Sequence, residues 1–322
     1  MAAIFGWVFA GPWLTLGAVL LTLNTGGAHP ASAAFLAGLA AIWVAPLRTD
    51  GSAAWPAFRD SPVWDAWRRY FGMTLVTPDG EEGGGGGGDT PPPLGPHIIA
   101  QFPHGVFPIG SFLTPLGRVA CLPAGTVGAI ATVLFHLPLL RHIYAWFGCI
   151  PADRASIEAA LASGKCVGLV PEGVAGVFAG ATPEAEPVLT AHKGFIKLAL
   201  RAPGGVPTPI RPAFIFGQSR ALSFWGSRRA SRALRATVGV WWGRAGLPCL
   251  PRRVRLVMAV GRAVRLAPPA VAGAPSQAEI EAGFQAVLAE LARVYEVVQP
   301  GVEGYERARL VAVAGERRGR RV

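Results

Sequence analysis

The hydrophobic pattern divides the chain into an uncharged N-terminal part and a charged remainder. No lysine, arginine, aspartate or glutamate occurs in residues 1–47. The apolar run 2–23 is long enough for a helix across a bilayer core of about 30 Å, and a second apolar run, 33–47, follows a short polar connector. We therefore expect residues 1–47 to form a transmembrane helical hairpin. A cleaved signal peptide is the alternative, but no basic residues precede the first run.

The next two segments are expected to connect this hairpin to a folded domain. Residues 48–78 form a juxtamembrane amphipathic segment, in which Ser61 and Pro62 predict the start of a helix. The apolar face of that helix could lie in the membrane interface or pack in a core. Residues 79–96 contain a run of six glycines and a run of three prolines, which is typical of a flexible linker.

Residues 97–300 alternate short apolar runs with helical patterns, which predicts an α/β domain. Ser276 and Glu279 form a capping box that predicts a long helix ending near residue 298. The other expected elements are strands at 97–102, 166–170, 209–216 and 254–260, and helices at 156–163 and 194–201. Residues 301–322 form a basic C-terminal tail.

Composition and charge narrow the class of function. Only 15% of the residues are charged, against about 25% in soluble domains, and the net charge is +11. A basic chain of this kind suits a phosphate-bearing partner such as a lipid headgroup or a nucleotide. The basic residues are scattered and no nucleic-acid-binding module is present, so we expect no nucleic-acid partner. The four cysteines lack paired spacing, so neither a metal site nor a disulfide framework is expected.

Two strand ends carry the candidate chemistry. His104, between Pro103 and Gly105, follows the first strand, where an apolar pocket would keep the imidazole neutral and able to accept a proton. Glu172 follows the strand 166–170 and could orient either this imidazole or a substrate hydroxyl. A structural histidine and a solvent-facing turn acid are the alternatives. Lys193, Lys197 and Arg201 share one helical face, which could bind phosphates or simply face water.

The order of the motifs resembles the type-2 diacylglycerol acyltransferases over about residues 55–305. The runs 216–220 and 247–249 are most similar to the plant and green-algal branch. The matching motifs lie at 103–105, 140–148, 170–174, 192–195, 216–220 and 260–261.

This resemblance implies a glycerolipid-acyltransferase-like fold behind the hairpin and transfer of a fatty acyl group from acyl-CoA to diacylglycerol. It makes His104 the general base, requires no cofactor besides the acyl-CoA substrate, and names membrane lipid as a further partner. It places the enzyme in the endoplasmic reticulum membrane with a cytosolic catalytic domain, or on lipid droplets, and leaves the oligomeric state, including a homo-oligomer, open. The expected substrate-binding residues are Pro103, Gly105, Gly173, Lys193, Gly194, Phe195, Lys197, Arg201 and Arg220.

The sequence departs from the family pattern at the expected acid. Where the family has Pro-Gly-Gly-x-x-Glu, this chain has Glu172 at the second position and Gly176 at the last. We expect Glu172 to replace the missing acid. The Pro-Glu-Gly run is similar to the glycerophospholipid acyltransferases, but Ile109 stands where their His-x4-Asp motif has aspartate. The alternatives are an acyltransferase for monoacylglycerol, long-chain alcohol or lysophospholipid, or a non-catalytic lipid-binding scaffold.

Overall fold

The structure, a computed structural model, describes residues 15–25, 30–78, 95–114, 125–202, 205–234, 237–247 and 250–314. Most of the expected linker 79–96 lies outside these residues, as do residues 1–14 of the expected hairpin.

A seven-stranded sheet of order β1-β10-β7-β2-β5-β3-β4 forms the centre of the fold. Neighbouring strands are parallel except β10 and β7, which are antiparallel. Strands β6 and β11 form a separate parallel pair, and β8 and β9 an antiparallel one. The strands are β1 Thr74–Val76, β2 Ile98–Phe102, β3 Val127–Ile130, β4 Ile150–Pro151, β5 Val167–Leu169, β6 Ala185–Leu189, β7 Ile210–Phe216, β8 Ser223–Gly226, β9 Gly239–Trp242, β10 Val257–Val260 and β11 Arg309–Val313.

Helices cover the sheet and precede it. Short 3-10 turns, including Thr132–His136 and Gln218–Arg220, complete the connections. The helices are α1 15–24, α2 Pro30–Val44, α3 Pro56–Arg59, α4 Pro62–Phe71, α5 Ile109–Leu113, α6 Leu140–Trp146, α7 Arg154–Ala162, α8 Gly173–Val177, α9 Gly194–Leu200, α10 Arg228–Leu234 and α11 Gln277–Val298.

The α/β class is confirmed, together with the expected elements in 97–300. Each of the four expected strands and three expected helices is present with ends shifted by only a few residues. The capping box is also present: the Ser276 hydroxyl accepts from the Glu279 N–H at 3.2 Å, and the Glu279 carboxylate accepts from the Ser276 N–H at 2.6 Å. Both bonds satisfy N–H groups that a helix start leaves unpaired.

Both faces of the sheet are buried, as expected for a largely parallel sheet. Along β2, Ile98 and Ala100 contribute to one core cluster and Ile99 to the other, because successive side chains of a strand point to opposite faces. Helix α11 lies over the first face, where Tyr295 stacks on Phe216 with ring centroids 5.0 Å apart.

Helix α4 lies against the second face, which decides between the two alternatives for its apolar side. Ser61 caps its N-terminus as expected. Trp64 and Phe71 are buried in the core, and the Trp64 ring packs edge-on against Phe147 at 5.1 Å. The placement of this aromatic face in the membrane interface is therefore wrong, because the core already covers it.

The expected α/β domain, residues 97–300, is too short at both ends. Strand β1 precedes the linker and pairs with β10 at the edge of the main sheet. Strand β11 lies in the expected C-terminal tail and pairs with β6 over five residues on each strand. Parts of the 48–78 and 301–322 segments are thus built into the α/β fold.

The membrane hairpin stays a prediction. Residues 15–24 and Pro30–Val44 are helical, which agrees with two helices joined by a short connector. Among the described residues, no helix has both the length and the apolar character needed to cross a bilayer.

Candidate active site

His104 lies at the carboxyl end of β2, the edge at which open α/β sheets bind their ligands. The chain turns sharply there at Gly105, which has a φ of 61°. A Cβ at residue 105 would lie 2.9 Å from the carbonyl oxygen of Gln218. Only glycine therefore fits both the backbone conformation and the close approach that places His104 at this edge.

Hydrogen bonding fixes the form of the His104 ring. Its Nδ1 lies 2.8 Å from the carbonyl oxygen of Gly105, and because a carbonyl can only accept, Nδ1 carries the proton. Burial lowers the pKa of His104 below 6.5, and the opposing effect of the Gly105 hydrogen bond is smaller. The imidazole is therefore neutral near pH 7, and its Nε2 holds the lone pair that a general base needs.

Glu172 is buried, with only 1% of its surface exposed, and it binds backbone rather than the imidazole. Its Oε2 accepts from the His104 N–H at 2.8 Å, and its Oε1 accepts from the Leu189 N–H at 2.9 Å. The expectation that Glu172 orients the imidazole directly is thus corrected, because the carboxylate fixes the main chain that carries the ring. We call it a positioning residue.

The pKa of Glu172 is raised to about 7. Burial is the main cause, and the nearby Glu186 adds to it, whereas the two backbone hydrogen bonds act in the opposite direction. A buried carboxylate needs such partners because an unpaired one would be very costly. The expectation that Glu172 has close polar partners is confirmed.

The position of Glu172 also explains the glycine at residue 176. A Cβ built on Gly176 would lie 2.7 Å from the Cβ of His104 and 2.9 Å from Oε2 of Glu172. Both distances are shorter than real Cβ contacts, so the side chains of His104 and Glu172 occupy the space that a residue-176 side chain would enter. The acid at residue 172 and the glycine at residue 176 are therefore sterically linked, because Glu172 occupies space that a side chain at 176 would need.

Gln218 is a second positioning residue, which the sequence analysis did not single out. Its Oε1 accepts from the N–H groups of Gly110 at 2.9 Å and Ser111 at 3.3 Å. Its Nε2 donates to the carbonyl of Pro103. Gln218 therefore ties the start of α5 to the peptide preceding His104. The available signal was the motif 216–220, in which Gln218 lies.

A cavity of about 1590 Å³ opens beside His104, larger than the roughly 300–1,000 Å³ typical of small-ligand pockets. Its walls come from α1, α2, β3, α6 and β9 as well as from the strand ends. No aspartate, glutamate, lysine or arginine occurs among the described lining residues. Such a wall suits hydrocarbon chains, with His104 as the candidate base.

Cys149 and Tyr144 also line this cavity but remain protonated. Burial raises the pKa of the Cys149 thiol to about 12, and it raises the pKa of the Tyr144 hydroxyl above its ordinary value. A thiol is a poor nucleophile compared with a thiolate. Cys149 is therefore not activated for attack. Within the described ranges, no three His, Cys, Asp or Glu side chains are grouped so that they could hold a metal ion.

The structure brings only some of the predicted binding residues to the cavity. Gly173 lines it, and Pro103 and Gly105 flank His104. The residues of and around α9 are not among the described residues that line it, so their role in substrate binding stays a prediction. These residues are Lys193, Gly194, Phe195, Lys197 and Arg201.

The contacts of α9 explain this difference. Lys193 forms an ion pair with Glu281 and lies 4.9 Å from the ring centroid of Phe284 on α11. Phe195 is buried and packs edge-on against the same ring at 6.4 Å. The motif 192–195 thus joins α9 to α11 on the sheet face covered by the latter.

Arg220 is likewise engaged in the fold rather than in the cavity. Its guanidinium lies 3.7 Å from the ring centroid of Tyr305 and 3.6 Å from the carboxylate of Glu186. The Tyr305 hydroxyl donates to Glu186 at 2.9 Å and accepts from the Gly217 N–H at 2.7 Å. This network anchors the turn after β7, from which Gln218 reaches the His104 loop.

Comparisons with known proteins bear on the family of this chain. The family model described as "Diacylglycerol acyltransferase" matches residues 31–299. "Diacylglycerol O-acyltransferase 2" of Danio rerio is 26% identical over 220 residues, covering 66% of this chain and 54% of that protein. "Diacylglycerol O-acyltransferase 2-like protein 6" of Bos taurus is 27% identical over 192 residues, covering 57% and 52% respectively.

This chain spans about half the length of the curated relatives it matches. No solved structure is significantly similar to it. The likeness to the plant and green-algal branch stays a prediction. Because the family model covers most of the chain, this protein belongs to the diacylglycerol acyltransferase family.

Proposed function

We propose that this protein transfers a fatty acyl group from acyl-CoA to the free hydroxyl of diacylglycerol, forming triacylglycerol. The observation that carries this proposal is a neutral histidine at the wall of a large cavity lined by uncharged groups. Family membership supports the same reaction class. The reaction requires space for long acyl chains and one proton acceptor.

In the proposed reaction, Nε2 of His104 takes the proton from the acceptor hydroxyl as its oxygen attacks the thioester carbonyl carbon. The tetrahedral intermediate then collapses, the carbon–sulfur bond breaks, and the proton passes from Nε2 to the departing sulfur. The products are an ester and free CoA thiol. General-base assistance of this kind supplies about 10² to 10⁴ in rate, and positioning the two substrates adds to it.

Direct transfer fits the site better than an acyl-enzyme. The thiol lining the cavity, Cys149, is held protonated by burial. In the proposed reaction, substrate chains that fill the apolar cavity also exclude water, which limits hydrolysis of the thioester, the competing reaction.

The lining also favours a neutral acceptor over a lysophospholipid. The phosphate of a lysophospholipid is only a few bonds from the hydroxyl that must reach His104, so its charge would enter the cavity, whereas the pantetheine arm holds the phosphates of acyl-CoA away from the thioester. None of the described lining residues is an acid, lysine or arginine that could pair with such a charge. Glu172, which would otherwise be the candidate partner of a headgroup, has its two oxygens bonded to backbone N–H groups. Monoacylglycerols and long-chain alcohols remain alternative acceptors.

We further propose that residues 1–47 anchor the enzyme as a hairpin in the endoplasmic reticulum membrane, with the catalytic domain cytosolic. The uncharged first 47 residues and the Arg-rich remainder support this orientation. Protease treatment of sealed microsomes should digest both an N-terminal tag and the C-terminus. A protected N-terminal tag with a digested C-terminus would contradict the hairpin.

The direct test of function supplies membranes containing the full chain with labelled acyl-CoA and a panel of acceptors. Diacylglycerol should be converted to labelled triacylglycerol, whereas lysophospholipid should give little product. Preferred labelling of another acceptor would reassign the substrate. No transfer to any acceptor, together with retained lipid binding, would favour the non-catalytic scaffold.

A further inference from the structure

The two-stranded sheet of β8 and β9 has two different faces. Opposed residues of an antiparallel pair lie on the same face, and Phe224 is opposite Trp241. Phe224 packs edge-on against Phe178 at 5.2 Å, whereas Trp241 lines the cavity with its ring 6.1 Å from that of Phe107. We call this the inner face of the hairpin, because it packs on the protein.

The outer face is apolar and uncovered. Trp225 is opposite Val240 on it, and these side chains are 74% and 54% exposed. Leu234, at the end of the intervening helix α10, is 63% exposed. Large apolar side chains grouped on one exposed surface are typical of an interaction site. Isolated exposed apolar residues would carry no such meaning.

The chain segment that forms this face carries charges of one sign. Helix α10 carries Arg228, Arg229 and Arg232, all exposed. Of these, Arg228 also lies 5.4 Å from the ring centroid of Phe178 and donates to the Phe178 carbonyl at 3.4 Å. No aspartate or glutamate occurs in the sequence between Glu186 and Glu279. A surface that combines an exposed tryptophan with a row of arginines complements an anionic, partly apolar partner.

We propose that the outer face of the β8–β9 hairpin docks on an anionic lipid surface. Trp225 and Val240 would lie in the membrane interface, where tryptophan is favoured, while the arginines of α10 contact headgroups. Lipid is favoured over a protein partner because the inner side of the same hairpin lines the apolar cavity. Docking therefore brings the bilayer against a wall of that cavity.

The arrangement of the N-terminal helices agrees with this placement. Leu16 of α1 and Leu39 of α2 line the cavity together with Trp241 of the inner face and Val240 of the outer face, so the cavity reaches the edge of the β8–β9 sheet. The β8–β9 hairpin and the proposed membrane anchor thus both contribute to the wall of the same cavity. The docking proposal rests on the proposed function for the identity of the substrate that enters the cavity. Contact between the β8–β9 hairpin and lipid can nevertheless be measured without turnover.

Photo-crosslinking tests the docking directly. The photoreactive amino acid benzoylphenylalanine replaces Trp225 in one full-length variant and Val297 of α11, which is 56% exposed, in a matched control. Each variant is bound to vesicles of phosphatidylcholine alone or mixed with phosphatidylserine and is then irradiated. We expect lipid adducts at 225, more with phosphatidylserine, and few at 297. Equal adduct yields at both positions, or adducts of 225 with protein instead of lipid, would overturn the proposal.

Charge reversal tests the role of the arginines. Arg229→Glu should lower the yield of lipid adducts at 225 by about fivefold or more, because each basic residue at an anionic surface contributes about 1 kcal/mol. Arg307→Glu makes the same change of charge at an exposed position just before β11 and should leave the yield unchanged. Equal losses from both variants would show that net charge alone matters and would contradict docking through this hairpin.

The His104→Ala variant separates this inference from the proposed function. It should still form lipid adducts at 225 although it has lost turnover. Active enzyme without adducts at 225 would refute the docking surface alone, and adducts without any acyl transfer by the wild type would refute the function alone.

Discussion

The carboxylate of Glu172 receives the backbone N–H of His104 at 2.8 Å, although these residues are 68 positions apart in the chain. Because the bond is to the main chain, Glu172 sets the position of the imidazole while leaving both ring nitrogens to other partners. The ring itself is fixed by its neighbour, Gly105. Base and positioning residue are therefore separate groups, and their substitutions should have different effects.

Replacing His104 with alanine should lower turnover by about 10² to 10⁴, the usual contribution of a general base. Membrane association and the thermal unfolding midpoint should change little. His136→Ala, at an exposed position on the 3-10 turn after β3, is the matched control and should keep full activity. His104→Ala with more than about a tenth of wild-type turnover would exclude His104 as the base.

The acid limb that His104 sets in the pH profile should lie below the pKa of an ordinary histidine. Neutral His104 is the active form, and burial lowers its pKa below 6.5. In the wild type, protonation of Glu172, whose pKa is about 7, should also lower turnover. The limb of His104 is therefore measured in Glu172→Gln, in which residue 172 does not titrate: the remaining activity should be constant above pH 6.5 and fall only as the pH drops through the lowered pKa of His104. The measurement is kcat/KM against pH, with reversal on return to pH 7.5 as a check on stability. An acid limb at or above pH 6.5 in Glu172→Gln would contradict the buried, neutral ring.

Glu172→Gln should lower turnover at least about tenfold with little change in the KM for acyl-CoA. The glutamine amide has one accepting oxygen, so one of the two backbone N–H groups would face an NH₂ group. Such an unpaired group costs about 1–3 kcal/mol, and 1.4 kcal/mol corresponds to a tenfold change in rate. Glu158→Gln on α7 is the control, since Glu158 pairs only with partly exposed Arg154 there. Unchanged turnover would make Glu172 a purely structural turn residue.

Gly176→Ala should destabilise the site because its Cβ would overlap His104 and Glu172. Overpacking of this kind costs about 1–3 kcal/mol, so both the unfolding midpoint and turnover should fall. Gly301→Ala, at a position where a Cβ meets nothing within 4 Å, should alter neither quantity. Wild-type stability and turnover in Gly176→Ala would show that the surrounding backbone can move and would remove the steric explanation.

Lys197→Ala should leave the KM for acyl-CoA unchanged to within about a factor of two, as for a surface substitution. Lys193→Ala should also keep this KM, while losing its ion pair with partly exposed Glu281 and at most about 1 kcal/mol of stability. A tenfold rise in KM for acyl-CoA in either variant would show that α9 contributes to acyl-CoA binding.

The elements that the sequence predicts well are those with local signals. The long helix follows from Ser276 and Glu279, which are close enough in sequence to cap it. Strands β2 and β7 are mostly apolar, apart from Gln101 and Arg211, because both their faces are largely buried. Strand β6 was missed because Pro187 interrupts its pattern, although the strand pairs with β11. Its pairing partner lies more than 100 residues away, so no local signal reveals it.

The residues of the candidate site likewise differ in whether a local signal in the sequence predicts them. The position of His104 after a strand is a local feature, and both its role as a candidate base and its neutral form follow from that feature and from burial. The partners of Glu172 and Gln218 are backbone groups far along the chain, and a backbone group leaves no residue type in the sequence to recognise. The spacing of Lys193 and Lys197 defines a helical face but does not determine what that face meets, so the ion pair of Lys193 with Glu281 could not be predicted from it.

The cavity wall built from Leu16, Leu39 and Trp43 has an evolutionary consequence. In the proposed enzyme, these side chains belong to the segment that anchors the protein in the membrane, and they also line the cavity whose shape determines which acyl chains fit. A mutation that adapts the anchor to a bilayer of different thickness therefore also reshapes the cavity. Lineages that change the host membrane should be constrained to change acyl preference with it, unless substitutions on the sheet side of the cavity compensate.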